Sequence, residues 1–146
     1  MNNLKKKNIV RSISFAIAFL VTIAVSVMCT GGNSAPKLEV IKTTSEEINK
    51  KCPMVVDAYT QLDNTTVTEN PLTLVYLYTV SASKDSLDLD LNEAKKNLMK
   101  TTQNLADTSP EMAYMRDNAI LLKYHYKDKN GKYLFDFTIT PKKNTK

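Results

Sequence analysis

The chain has 146 residues, 42% hydrophobic and 24% charged, which is the usage of one ordinary globular domain. Three glycines, one histidine and two cysteines exclude glycine-rich phosphate loops, CxxC pairs and His-rich metal centres. The formal charge of +5 is carried largely by Lys5, Lys6, Lys7 and Arg11; without them 16 cations face 15 anions, too even a balance for nucleic acid as a partner.

Those four cations precede an uncharged run from Ile13 to Met28, followed by Thr30-Gly31-Gly32. A positive start, an apolar core and then small residues form an export signal, so the rest of the chain is expected outside the cytoplasmic membrane. The destination is then periplasmic, extracellular or membrane-anchored. Residues 1–31 have three open fates: cleavage near Gly31, retention as an N-terminal anchor, or lipidation at Cys29. Met28 counts against lipidation, because that processing prefers a small residue before the cysteine. If the leader is removed at Gly31, 115 residues remain, enough for one core without staples. Cys52 is then the sole thiol, either buried or available for an intermolecular disulfide.

Residues 32–43, with Pro36, are expected to be a flexible tether, and residues 44–141 a single α+β domain. Thr44-Ser45-Glu46-Glu47 reads as a capping box opening a short helix to about Lys51, which Pro53 stops. Residues 55–67 are rich in β-branched side chains and threonine. A turn at Thr68-Glu69-Asn70-Pro71 leads into residues 72–80. Apolar residues on both faces make that segment a central strand.

A polar connection follows. Asp90-Leu91-Asn92-Glu93 is a second capping signal, and Leu91, Ala94, Leu98 and Leu105 recur at helical spacing. Ser109-Pro110-Glu111 starts another short helix, carrying Met112 and Met115 and ending near Asn118. The chain then forms a hairpin around Asn130-Gly131, expected as a type I′ turn with Lys129 facing Lys132. Counting outward pairs Tyr126 with Phe135, Tyr124 with Phe137 and Leu122 with Ile139. The opposite face holds Lys123, His125, Lys127, Leu134, Asp136 and Thr138. Residues 142–146 form a basic tail. From residue 119 onward seven lysines face only Asp128 and Asp136. The expected architecture is a single antiparallel sheet of about four strands with helices on one face, in the order α-β-β-α-α-β-β.

No constellation for catalysis stands out, and no cofactor or metal is expected. Cys52 follows a helix C-terminus, where the dipole opposes a thiolate. His125 and Asp136 should oppose each other, but no serine or second histidine completes a relay. Asp85, Asp88 and Asp90 lack the glycine and the further oxygens of a calcium loop. Tyr76, Tyr78, Tyr124, Tyr126, Phe135 and Phe137 could form core, a ligand groove or a partner surface.

The segment from Ile48 through Asp57, with Thr60-Gln61-Leu62-Asp63, residues 74–79, Met115-Arg116-Asp117-Asn118 and residues 124–131, resembles a family of small exported bacterial proteins. That family carries an N-K-x-C-P-x-x-V-D segment, here Asn49 to Asp57. The resemblance implies a bacterial, exported, single-domain protein and brings no activity or catalytic residue. The function expected is therefore non-enzymatic: a protein-interaction module of the envelope or extracellular space, touching the membrane only through an uncleaved N-terminal segment. The alternative is a carrier holding a small apolar ligand in an aromatic groove between sheet and helices.

Overall fold

Pro36, fixed at φ −52°, begins the first helix, α1 (Lys37–Asn49). The computed structural model describes residues 36–87 and 90–142. The expected export leader, Cys29, Asp88 and the last four residues of the expected basic tail lie outside them. Strands β1 (Met54–Val55), β2 (Thr60–Glu69) and β3 (Leu72–Val80) follow α1. Then come a one-turn helix at Lys84–Ser86, α2 (Leu91–Thr108), a second such turn at Pro110–Met112 and α3 (Ala113–Asp117). Strands β4 (Leu121–Asp128) and β5 (Tyr133–Ile139) complete the order.

The α+β reading holds, but the sheet differs from the expected one. It has five strands in the order β1-β2-β3-β4-β5, and β3 runs parallel to β4 while every other pair is antiparallel. The reason lies in the connection. Two helices separate β3 from β4, long enough to carry the chain back to the end where β3 began, so β4 enters in the same direction. The fifth strand is β1, two residues that pair with Leu62 and Gln61.

In the parallel register Tyr76 stands beside Tyr124 and Tyr78 beside Tyr126. The inner face is thereby built in rows across the strands. Val67, Leu74, Leu122 and Ile139 form one; Thr65, Tyr76, Tyr124 and Phe137 the next; Leu62, Tyr78, Tyr126 and Phe135 a third; Thr60, Val80 and Asp128 the last. A bulge at Asp63 shifts the phase of β2, so Thr60, Leu62, Thr65 and Val67 can all face inward.

Among the described residues the helices cover this face alone. Helix α1 lies over β2 and β3, and α2 over β5. From α1, Ile41, Thr44, Ser45 and Ile48 are buried, and from α2, Ala94, Leu98, Thr102 and Ala106. The capping box expected at Thr44 is therefore corrected. Residues 37–43 are helix rather than tether, and Thr44 sits inside it with its hydroxyl donating to Val40 O at 2.8 Å. The second capping signal is as expected: Asp90 accepts from the amides of Asn92 and Glu93.

The hairpin pairs Leu122, Tyr124 and Tyr126 with the partners counted from the sequence. Its turn differs. Lys127 faces Tyr133, and Asp128 N donates to Lys132 O, leaving a three-residue loop that ends in Gly131 at φ +80°. This is a type I turn with a glycine bulge, not a type I′ pair. Asp128 decides it, because one carboxylate oxygen accepts from both Asn130 N and Lys132 N at 2.8 Å. The other accepts from Lys84 N at 2.7 Å, tying the hairpin to the β3–α2 connection. The shift makes Leu134 the extra residue of β5, and it joins the core instead of the outer face.

Candidate functional site

Of the three readings left open for the six aromatics (core, ligand groove or partner surface), the structure shows core. None of the six is more than 5% exposed. Tyr76 stacks on Tyr124 at 5.0 Å, Tyr78 on Tyr126 at 4.8 Å and Tyr124 on Phe137 at 5.1 Å, while Phe135 lies tilted against Tyr126 at 4.8 Å. The physical reason is the parallel register, which sets the rings side by side beneath the helices so that they fill the space a ligand would need. Burial pushes the phenols of all four tyrosines well above their ordinary value.

Cys52 is a free, half-buried cysteine after α1, joined to Pro53 by a cis peptide bond. Burial raises its thiol, and the charge of Asp63 raises it further, so thiolate is scarce. Asp63 itself is held below the ordinary carboxylate value. Burial opposes this, but hydrogen bonds from Thr79, Gln61 and Lys127 outweigh it.

His125 opposes Asp136, as counted. The carboxylate is engaged elsewhere: Lys123 lies 3.1 Å from one oxygen and the Tyr133 hydroxyl donates to the other at 3.1 Å. The His125 ring instead leans on Tyr133, 5.6 Å between centroids. Asp85 pairs with Lys132 at 2.9 Å and Asp90 caps α2, so these two acids do not converge on one point.

The N-K-x-C-P-x-x-V-D segment acquires a structural reading. The Asn49 side chain behaves like a residue of a neighbouring strand: its Nδ2 donates to Thr65 O at 2.9 Å and its Oδ1 accepts from Thr65 N at 2.6 Å. Asp57 Oδ1 accepts from Tyr59 N at 2.7 Å and shapes the loop before β2.

One feature escaped sequence reasoning. Among the described residues the helices lie on one side only, and none covers the other sheet face. A shallow recess of about 450 Å³ lies on it, with Val75, Leu77 and Leu121 as its apolar floor and Thr66, His125 and Thr138 among its walls. Val75 is 9% exposed, while Leu77 and Leu121 are half-buried. The apolar residues on both faces of residues 72–80 were the available signal. That pattern marks a central strand, but it does not say which face the helices take.

Residues 35–135 match the family described as Domain of unknown function (DUF8479). The chain belongs to this family. No curated protein matches it in sequence. Two solved structures share the fold. One is a Pseudomonas aeruginosa protein described as secreted, with a TM-score of 0.57, 12% identity, and 74% of this chain and 96% of that chain covered. The other is the pilotin EpsS from the type 2 secretion system of Vibrio vulnificus, with a TM-score of 0.55, 10% identity, and 71% and 88% covered. Among the described residues no helix is long and apolar enough to cross a membrane.

Proposed function

We propose that the protein is an exported component of the bacterial envelope or extracellular space that works by binding a protein partner, not by catalysis. The uncovered sheet face carries this reading. Val75, Leu77 and Leu121 keep apolar area there, bordered by Thr66, Thr68 and Thr138. An apolar floor of buried Val75 and half-buried Leu77 and Leu121, with hydroxyl borders, suits a protein surface that also tolerates water. Support comes from the leader-like residues 1–31 and from the fold, shared with one protein described as secreted and with a secretion-system pilotin. The six aromatics are buried in the core and take no direct part in binding. Because they are packed together, the carrier alternative loses its groove.

The test is site-specific photocrosslinking in the native host. A photoreactive residue at Thr66 or Thr138 is expected to yield the same discrete adduct, and one at Lys96, exposed on α2, none. Adding Leu77→Glu should abolish the adduct while leaving circular dichroism unchanged. Equal labelling from both faces, or none from either, would overturn the reading. Intact mass of the membrane-isolated protein separates the fates of residues 1–31: a cleaved chain, a full-length anchor, or a lipid on Cys29.

A further inference from the structure

The two edges of the sheet are guarded unequally. On the β2 edge, β1 pairs with Leu62 and Gln61, and the Asn49 side chain hydrogen-bonds both the N–H and the C=O of Thr65. The β5 edge is held only at its ends. Lys84 Nζ donates to Tyr133 O at 3.1 Å, and Gln103 Nε2 to Thr140 O at 2.9 Å. Between them, among the described residues, residues 134–139 have no backbone partner beyond β4. The stretch contains neither lysine nor proline, the residues that blunt an edge against pairing.

Helix α2 runs alongside this open edge, in the same direction as β5. Gln103 reaches Thr140 O, and further on Asp107 Oδ1 accepts from Lys142 N at 2.8 Å. At the other end Lys95 lies within reach of Asp136. That carboxyl is held below its ordinary value: burial opposes this, Lys123 and the Tyr133 hydroxyl outweigh it, and the charge of Lys95 adds to them. The spacings agree, since Lys95 to Gln103 along a helix and Asp136 to Thr140 along a strand both span about 12–13 Å. Lys95, Met99 and Gln103 recur at helical spacing and form one stripe beside the edge. Met99, midway, stands level with Thr138. It is 42% exposed, and Tyr133 at the start of β5 is 51% exposed. Lys96 and Lys100 lie about 100° further round the helix and face water.

This arrangement is self-complementary. A strand pairs antiparallel with its own copy about a twofold axis, so residues equally far on either side of the axis meet. With the axis at Thr138, Asp136 meets Thr140 of the second copy and Phe137 meets Ile139. On the helices Lys95 meets Gln103, and Met99 meets Met99. No like charges are opposed, and the exposed methionine of α2 is covered.

We propose that the protein dimerises edge to edge, β5 pairing antiparallel with β5 of a second copy around Thr138 while the two Met99 side chains pack together. The two five-stranded sheets then become one continuous sheet. Thr66, on β2, lies outside this contact. A strand and one helix stripe make a small interface, which sets the affinity in the micromolar range.

Sedimentation equilibrium of the full-length protein, in mild detergent with reductant, tests this. Reversible monomer–dimer exchange is expected, with Kd about 1–100 µM. Thr138→Asp and Thr138→Lys each set like charges across the axis, and each should weaken the dimer by about tenfold or more. An equal mixture of the two should restore it. Met99→Lys should weaken it as much with an unchanged melting temperature, which keeps the test valid if the strand variants fail to fold. A chain that stays monomeric at about 500 µM would overturn the proposal. So would a dimer that persists in Thr138→Asp and Met99→Lys, or a mixture of the two Thr138 variants that fails to pair.

Discussion

Thr65 and Thr60 share a strand, a face of the sheet and a burial of 2% exposure, yet their hydroxyls have opposite fates. Thr65 Oγ1 meets Ser45 Oγ at 2.7 Å, Asn49 Oδ1 at 3.1 Å and Ser45 O at 3.2 Å. Thr60 Oγ1 meets nothing. Helix α1 makes the difference, since its polar pair Ser45 and Asn49 comes down on Thr65 and leaves Thr60 beyond its reach. A satisfied buried network holds a helix to a sheet, whereas an unsatisfied buried group costs stability.

Four measurements would break or sharpen that contrast. The largest effect is expected at Tyr126. Truncation to Ala should destabilise by about 3–5 kcal/mol in urea unfolding, because the ring packs against Tyr78 and Phe135. Tyr126→Phe should change stability by under about 1 kcal/mol, since the hydroxyl it removes has no partner. A large loss in the Phe variant would mean the phenol is satisfied after all.

The threonine pair comes next. Thr65→Val should cost about 1–3 kcal/mol, because Ser45 and Asn49 lose a buried partner. Thr60→Val should be neutral or stabilise by up to about 1 kcal/mol, because burying a methyl in place of an unpaired hydroxyl removes a desolvation penalty. Equal costs for the two variants would erase the distinction.

A smaller effect concerns pH and Asp128, the other buried polar residue of the row that holds Thr60. Asp128 is held below its ordinary value, first by the Lys84 amide and further by the amides of Lys132 and Asn130, against burial. A lowered folded pKa means that the unfolded chain binds the proton more readily. The stabilisation is therefore complete above the ordinary value of 3.8 and lost as pH falls through the lowered one. Urea midpoints should drop between about pH 5 and pH 2.5, and Asp128→Asn should flatten that slope. An unchanged slope would show that Asp63 and Asp136, both also lowered, carry the acid sensitivity instead.

The smallest effect is kinetic. Cys52, raised by burial and by Asp63, should react with a disulfide reagent at pH 8 more slowly in the native protein than in urea. Equal rates would place its thiol outside the half-buried setting described above.

Local patterns were legible where the interaction they encode is local. The Asp90 cap reaches only to Asn92 and Glu93, and it was read correctly. The cross-strand partners of Leu122, Tyr124 and Tyr126 follow from alternation and a short turn. The pattern at Thr44-Ser45 misled because its real partner, Thr65, lies 20 residues beyond Ser45. The spacing of Ile41 and Ile48, one face of a helix, was the signal that could have moved the helix start back to Lys37. The two bulges, at Asp63 and Leu134, were invisible because one extra residue changes a face without changing composition.

By itself the sequence determined the α+β class, the central strand, helix α2 and the aromatic composition of one hairpin face. It also carries the charged-then-apolar start from which export is inferred. Only the tertiary structure decided that β4 lies parallel to β3, that the six aromatics are sealed beneath helices, and that no described helix covers the opposite sheet face. Alternation along a strand fixes which side chains share a face. Which face is covered, and which hydroxyl finds a partner, depends on where distant helices come to rest.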